Sequence, residues 1–286
     1  MNIGLTLGGG GARGLCFIEF CKALDEFGIR PSIISGTSIG AIFGAFYAAG
    51  ISGHNMEARL RDITLLKIPQ LIDFRVFMKT SLLKGRRIEA FFRSVLGCDR
   101  FEDLQIPLKI TATDFWNREL VVFDSGPLPR AIRASMSLPL IFEPVVLDNR
   151  VLVDGGASNP LPHDIIRDEC DFLIAIDVSG HLRPTKPGYL PGMFDNIMGV
   201  FQTMQRQIIT ERLNRSFVDL LVRPRLLNFG ILDFHKEKEI LDSVKHDVED
   251  FKRTLERKLT LLETQKSIYN RQRLPQTVKE KKKKKH

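Results

Sequence analysis

Nowhere in this 286-residue chain do 18 apolar residues run together, so a membrane-spanning helix is not expected. The N-terminus offers no charged n-region followed by an apolar h-region, and so no cleavable signal peptide. A cytoplasmic protein, at most peripheral to a membrane, is expected. Cysteine is sparse, and Cys16, Cys21, Cys98 and Cys170 suggest no disulfide framework. His54, His235, His246 and His286 show no ligand spacing such as His-Glu-x-x-His, so no metal is expected. Tryptophan occurs once, beside 3 tyrosines and 20 phenylalanines. Positive charge is plentiful but confined. Between residues 271 and 286, eight basic side chains against Glu280 give +7 of the net +8. The remaining body is nearly neutral, without an aromatic-interleaved basic face, so no specific nucleic-acid partner is expected. The low-complexity tail, 271–286, is read as disordered and separate from a single domain over 1–270.

What is present begins with Gly36-Thr37-Ser38-Ile39-Gly40, which follows a strand-like Pro31 to Ser35 and precedes a small-residue helix, Ala41 to Gly50. A serine at so sharp a strand-to-helix turn holds its Oγ exposed. The flanking Gly36 and Gly40 are required because a Cβ there collides with the neighbouring helix or strand. Ser38 is the candidate nucleophile.

Upstream, the strand Ile3 to Leu7 runs into Gly8-Gly9-Gly10-Gly11-Ala12-Arg13-Gly14 and then a helix, Leu15 to Phe27. Bare backbone N–H groups next to a helix N-terminus suit an anion. Two uses fit: an oxyanion hole with donors from Gly9, Gly10 and Gly11, or a phosphate cradle. Arg13 would fix the loop or neutralise nearby negative charge. A dinucleotide fingerprint would also need an acid about 20 residues on, at the end of a second strand. Asp25 and Glu26 lie on the first helix instead, and the second strand ends at the Ser38 turn.

Asp154-Gly155-Gly156 follows the strand-like Val151 to Val153. An acid there sits at the mouth of an α/β sheet, on the edge where a serine turn would lie, and would meet Ser38. The competing account is an ordinary turn-forming Asp before Gly. The chain order Ser, Asp, His also leaves a triad open, with His163 ahead of His181 as third member. His163 reads more readily as a surface residue opening a helix through Ile165 and Ile166.

In this order the three glycine-containing motifs resemble the patatin-like phospholipase family. The likeness extends to Ile106-Pro107-Leu108, Thr113-Asp114, Ala131 to Ser135 with Pro139 and Pro144, and Asn159 to Pro162, covering residues 3 to 180. The resemblance implies a serine acyl hydrolase of the bacterial patatin-like type with a Ser–Asp dyad: Ser38 as nucleophile, Asp154 as base, the glycine loop as oxyanion hole, and no metal or cofactor. It implies a phospholipid or lysophospholipid substrate. Residues 54 to 80 and 181 to 230 match weakly, which leaves the lipid unidentified.

Strand-like runs at Ile3–Leu7, Ser32–Ser35, Leu108–Thr113, Glu119–Phe123, Val151–Val153, Phe172–Asp177 and Asp219–Val222 alternate with helices. This predicts a three-layer α/β/α fold with a mostly parallel sheet. A Pro/Gly-rich loop spans Gly180 to Gly192. Phe74, Phe77, Phe91 and Phe92 lie in the apolar Ile63 to Leu96 region, as core or as an acyl-chain groove. One helix is expected from Lys236 to about Lys266, with an apolar stripe from Ile240 to Leu262. The function expected is cleavage of fatty-acyl esters through an acyl-serine intermediate. A catalytically idle lipid- or nucleotide-phosphate-binding protein and an acyltransferase using the same serine are the alternatives. No protein partner is indicated.

Overall fold

The structure, a computed structural model, describes residues 1–62, 81–181, 183, 188 and 190–272. The chain divides into two compact units, Met1–Lys245 and His246–His286. Among the described residues of the first, eight strands form one mixed sheet: β1 (Ile3–Leu7), β2 (Ile33–Thr37), β3 (Leu108–Asp114), β4 (Glu119–Phe123), β5 (Val145–Leu147), β6 (Arg150–Asp154), β7 (Phe172–Ile176) and β8 (Leu220–Val222). β1, β2 and β7 are buried at every position, as continuous apolar runs in the middle of a covered parallel sheet should be.

The strand order is β5-β6-β3-β2-β1-β7-β8, with β4 also on β3. From β1 the chain moves outward through β2 to β3, then returns to the other side of β1 with β7 and β8. The direction therefore reverses between β1 and β7, the kind of switch point beside which open α/β sheets bind ligands. The glycine loop leaves β1 there.

The five-strand parallel core β3-β2-β1-β7-β8 carries an antiparallel extension of β4, β5 and β6. β3 is the junction. It pairs with β4 from Ile110 to Asp114, with β2 from Leu108 to Thr111, and with β6 from Ala112 to Asp114. Since β4 occupies one edge over that whole stretch, β2 and β6 must share the other. They run toward each other along it and stop at consecutive positions: Thr37 opposite Thr111, and Asp154 opposite Ala112.

Helices flank the sheet: α1 (Phe17–Glu26), α2 (Ile39–Ala48), α3 (Gly53–Asp62), α4 (Ser81–Leu96), α5 (Leu128–Ser135), α6 (Met193–Arg215) and α7 (Glu237–Ser243). α2, buried at every residue, packs on β1, β2 and β3, while α5 packs on β3 and β6. A 3₁₀ helix over Gly11–Cys16 takes in the end of the glycine loop and the first two residues of the helix expected from Leu15, and α1 starts at Phe17.

Several expectations are corrected. No helix opens at His163: a turn and a 3₁₀ stretch, Arg167–Glu169, follow it, and His163 is fully buried rather than on the surface. The helix expected from Lys236 breaks at Val244, the C-cap of α7. Beyond the break runs α8 (Lys245–Gln272), which from His246 on belongs to the second unit. Of the apolar 63–96 region, Phe92 is buried and stacks edge-on against Phe91 at 5.4 Å; Phe74 and Phe77 lie outside the described residues. Residues 273–286, which hold all but one of the tail's basic side chains, and part of the Gly180–Gly192 loop also lie outside them.

Candidate active site

The approach of β2 and β6 along β3 sets the geometry. Ser38 is the first residue past β2 and Asp154 the last of β6, so the two meet across the gap. Ser38 Oγ donates to Asp154 Oδ2 at 2.7 Å. Ser38 is N-cap of α2 and takes φ 55°, a strained value for a residue with a side chain. Its surroundings hold it there. A Cβ on Gly40 would lie 2.0 Å from the Leu7 carbonyl oxygen, and one on Gly36 would lie 2.5 Å from that of Gly40. Backbone approaches this close leave no residue but glycine.

The Ser38 N–H donates to Ser135 Oγ at 2.8 Å, from the end of α5. The sequence marked Ser135 only as part of the Ala131 to Ser135 likeness and gave no sign of this contact, which joins residues 97 positions apart. Behind the turn, Thr37 Oγ1 lies 2.6 Å from Thr111 Oγ1 and donates to the Asn159 carbonyl at 2.7 Å. These bonds tie β2 and β3 to the segment after Asp154.

Asp154 is 2% exposed. Its Oδ1 accepts the Gly156 N–H at 2.7 Å, its own N–H donates to Ser137 O at 3.0 Å, and its carbonyl accepts from Thr113 Oγ1 at 3.0 Å. Burial raises the carboxyl pKa to about 6, against the hydrogen bonds from Ser38 and Gly156, which lower it. Gly155 and Gly156 allow the chain to leave this position: a Cβ on the first would meet Thr111 O at 2.4 Å, and on the second Gln205 Nε2 at 2.1 Å.

The glycine loop adjoins the pair, since a Cβ on Gly9 would lie 3.7 Å from that of Ser38. Gly9 itself departs from the expectation. Its N–H donates to Pro160 O at 2.9 Å, so it anchors the loop and has no N–H left for a ligand. Among the described residues, the Gly10 and Gly11 N–H groups have no hydrogen-bond partner. Gly11 takes φ 59° and presses against Ile231 O, 2.3 Å from where its Cβ would be. Arg13 is buried: its Nε donates to Gly10 O at 3.1 Å and its Nη1 to Gln202 Oε1 at 3.4 Å. Burial lowers its pKa to about 10, with Asp177 opposing. By holding the Gly10 carbonyl, Arg13 fixes the Gly10–Gly11 peptide plane and with it the direction of the Gly11 N–H.

His163 lies outside this set of bonds. Its Nδ1 is 2.9 Å from Leu161 O, its Nε2 is buried with no partner, and Asp154 and Ser38 make no hydrogen bond with it. Among the described residues no group of three His, Cys, Asp or Glu side chains could hold a metal ion.

A helix-flanked mixed sheet with a serine at a glycine-enforced turn, hydrogen-bonded to a buried carboxylate, defines a serine-elbow α/β protein. The family model for patatin-like phospholipase matches residues 5–166, more than half of the chain, and the chain belongs to that family. An uncharacterised NTE family protein of Mycobacterium tuberculosis is 35% identical over 180 residues, 63% of this chain and 49% of that one. Patatin-like phospholipase domain-containing protein 6 of Homo sapiens is 35% identical over 182 residues, 62% of this chain and 13% of that one. Neuropathy target esterase sws of Drosophila melanogaster is 36% identical over 183 residues, with the same coverage of 62% and 13%. The chain thus spans about half the length of the mycobacterial relative and a small part of the animal ones. Among solved structures, VipD from Legionella pneumophila superposes with a TM-score of 0.52 at 13% identity, over 87% of this chain and 67% of that one; the likeness is one of fold.

Proposed function

We propose that the protein is a serine acyl hydrolase that cleaves the fatty-acyl ester of a phospholipid or lysophospholipid. The observation that carries this reading is the 2.7 Å hydrogen bond from Ser38 Oγ to a buried carboxylate, Asp154, with no histidine between them. Membership of the patatin-like phospholipase family supports the substrate class.

In the proposed reaction Asp154 takes the hydroxyl proton as Ser38 Oγ attacks the ester carbonyl carbon. The C–O bond to the glycerol oxygen breaks, and the proton passes from Asp154 to that leaving oxygen. A water molecule, deprotonated by Asp154, then attacks the acyl-Ser38 carbonyl; the fatty acid leaves and Ser38 Oγ regains its proton. The negative charge on each tetrahedral intermediate would be met by the free Gly10 and Gly11 N–H groups and by the N-terminal partial charge of α2. A base with a pKa near 6 suits this work better than an ordinary aspartate, because a very weak base drives little proton transfer. No step requires a metal or cofactor.

The test is labelling with a fluorophosphonate, followed by mass spectrometry of products from a mixed phospholipid extract. Modification of Ser38 and release of free fatty acid are expected. An unlabelled Ser38 in the folded chain would refute the mechanism. Acyl groups appearing on alcohols instead of as free acid would reassign it to acyl transfer.

A further inference from the structure

The first three turns of α6 carry apolar side chains on their solvent side. Met193, Ile197, Val200 and Met204 follow one another at steps of four, three and four, so they form a single stripe, and all are exposed, Met193 at 83% and Met204 at 60%. The solvent side of a soluble helix is normally polar. Here the polar side chains, Asp195, Asn196 and Thr203, fall on a different side, and the buried Met198 and Ile209 face inward.

Length places this stripe. α6 has 23 residues and spans about 34 Å, whereas β7 has 5 residues and spans about 17 Å. The helix ends at Arg215, shortly before β8 starts alongside β7 in parallel, so its surplus length lies at the other end, beyond the C-terminal ends of the strands. Two contacts fix the level. Gln205 reaches Gly156, and Gln202 accepts from Arg13. Residues before these overhang the edge that carries Ser38.

Two more exposed apolar groups rise from the same edge. The β3–β4 hairpin turns at Phe115–Arg118, where Phe115 and Trp116 stack edge-on at 4.9 Å with Trp116 74% exposed. Leu140 is exposed in the segment whose Ser137 carbonyl holds the Asp154 N–H. Three separate segments thus expose apolar side chains at the edge of the sheet that carries Ser38. An exposed cation, Arg118, lies two residues from Trp116 at the same hairpin turn, while the stripe itself bears no charge.

We propose that this rim is a membrane seat: the protein docks on the surface of an anionic lipid bilayer through Met193, Ile197, Val200, Met204, Trp116 and Leu140, with Ser38 facing the lipid. The inference rests on the acyl-lipid reading of the site. A water-soluble substrate needs no such rim, and a protein partner seated on it would cover the approach to Ser38. An ester held in a bilayer must instead be met at the interface, where aromatic and aliphatic side chains sink below the head groups and arginines remain at their level.

The chain holds a single tryptophan, so Trp116 reports directly. With the full-length Ser38→Ala protein, which forms no hydrolysis products to confuse the reading, vesicles of phosphatidylcholine and phosphatidylglycerol should blue-shift Trp116 emission, and brominated lipid should quench it. Changing Met193, Ile197, Val200 and Met204 together to Ser should weaken vesicle binding by at least about tenfold, with an unaltered melting temperature. Trp116→Ser offers a second variant, read by sedimentation. Trp116 emission indifferent to vesicles, or undiminished binding by the stripe variant, overturns the proposal. So does binding lost only when Lys279 and Lys281 to Lys285 become Gln, or a dimer that the stripe changes convert to monomers. Hydrolysis of a soluble short-chain ester by the unaltered chain tests the acyl-ester reading separately; its absence would sink that reading whatever the vesicles show.

Discussion

Replacing Asp154 by Asn should stop turnover and, above neutral pH, stabilise the fold. The carboxyl is buried, and its pKa rises from 3.8 to about 6. A rise of about two units corresponds to about 3 kcal/mol against the charged form. The sign follows from proton binding: with the pKa raised on folding, the native state binds more protons than the unfolded chain between pH 3.8 and about 6. The penalty is therefore absent below about pH 4, grows through that window, and is complete above it. Asn keeps an oxygen for the Gly156 N–H but replaces the carboxylate that accepts from Ser38, a loss of about 1 kcal/mol. The net gain at pH 8 is then about 2 kcal/mol, or about 4–8 °C in Tm for a domain of this size. Thermal melts of both proteins at pH 8 and pH 4 check this. A difference in Tm that does not change with pH, or a variant less stable than the original at pH 8, would refute the account of Asp154 as a carboxylate charged at a cost. In the unaltered protein, kcat/KM for a short-chain ester should rise with pH through about 6 and then level, because the base must be ionised.

Ser38→Ala should lower ester turnover at least about a thousandfold with unchanged circular dichroism, and retained turnover would remove Ser38 from its role. Ser135→Ala leaves the Ser38 N–H without its acceptor, so a loss of about 1–3 kcal/mol in urea melts and a lower kcat at steady KM are expected. Gly40→Ala sets a methyl group 2.0 Å from Leu7 O and should cost about 4 kcal/mol or more, read as loss of soluble protein. His163→Asn should lower Tm but leave the midpoint of the pH–rate profile near 6; a shifted midpoint would bring the histidine into the proton path.

The residues at the heart of the site were legible in sequence because sterics leave few choices there. Only glycine fits at Gly36 and Gly40, and a carboxylate at the end of a strand before two glycines has few other places to be. What could not be read depends on the partner that each group finds in three dimensions. Whether a Gly9 N–H is free or tied to Pro160, whether α5 delivers Ser135 to the Ser38 N–H, and whether His163 is buried are settled by contacts between distant segments. Strand limits moved by a residue or two, and β5 went unpredicted because three residues carry little periodicity. The helix expected beyond Lys236 kept its apolar spacing, but spacing alone did not register the break at Val244.

Ser38 and Asp154 are 116 positions apart in the chain and touch only when β3 has acquired both β2 and β6 along one edge. Closing so long a loop is among the slower events available to a folding chain. On the proposed chemistry, a fluorophosphonate pulse during refolding would tag only molecules whose β3 edge is already complete. The nucleophile would then serve as a built-in clock, reporting when the parallel and antiparallel parts of the sheet join without any introduced probe.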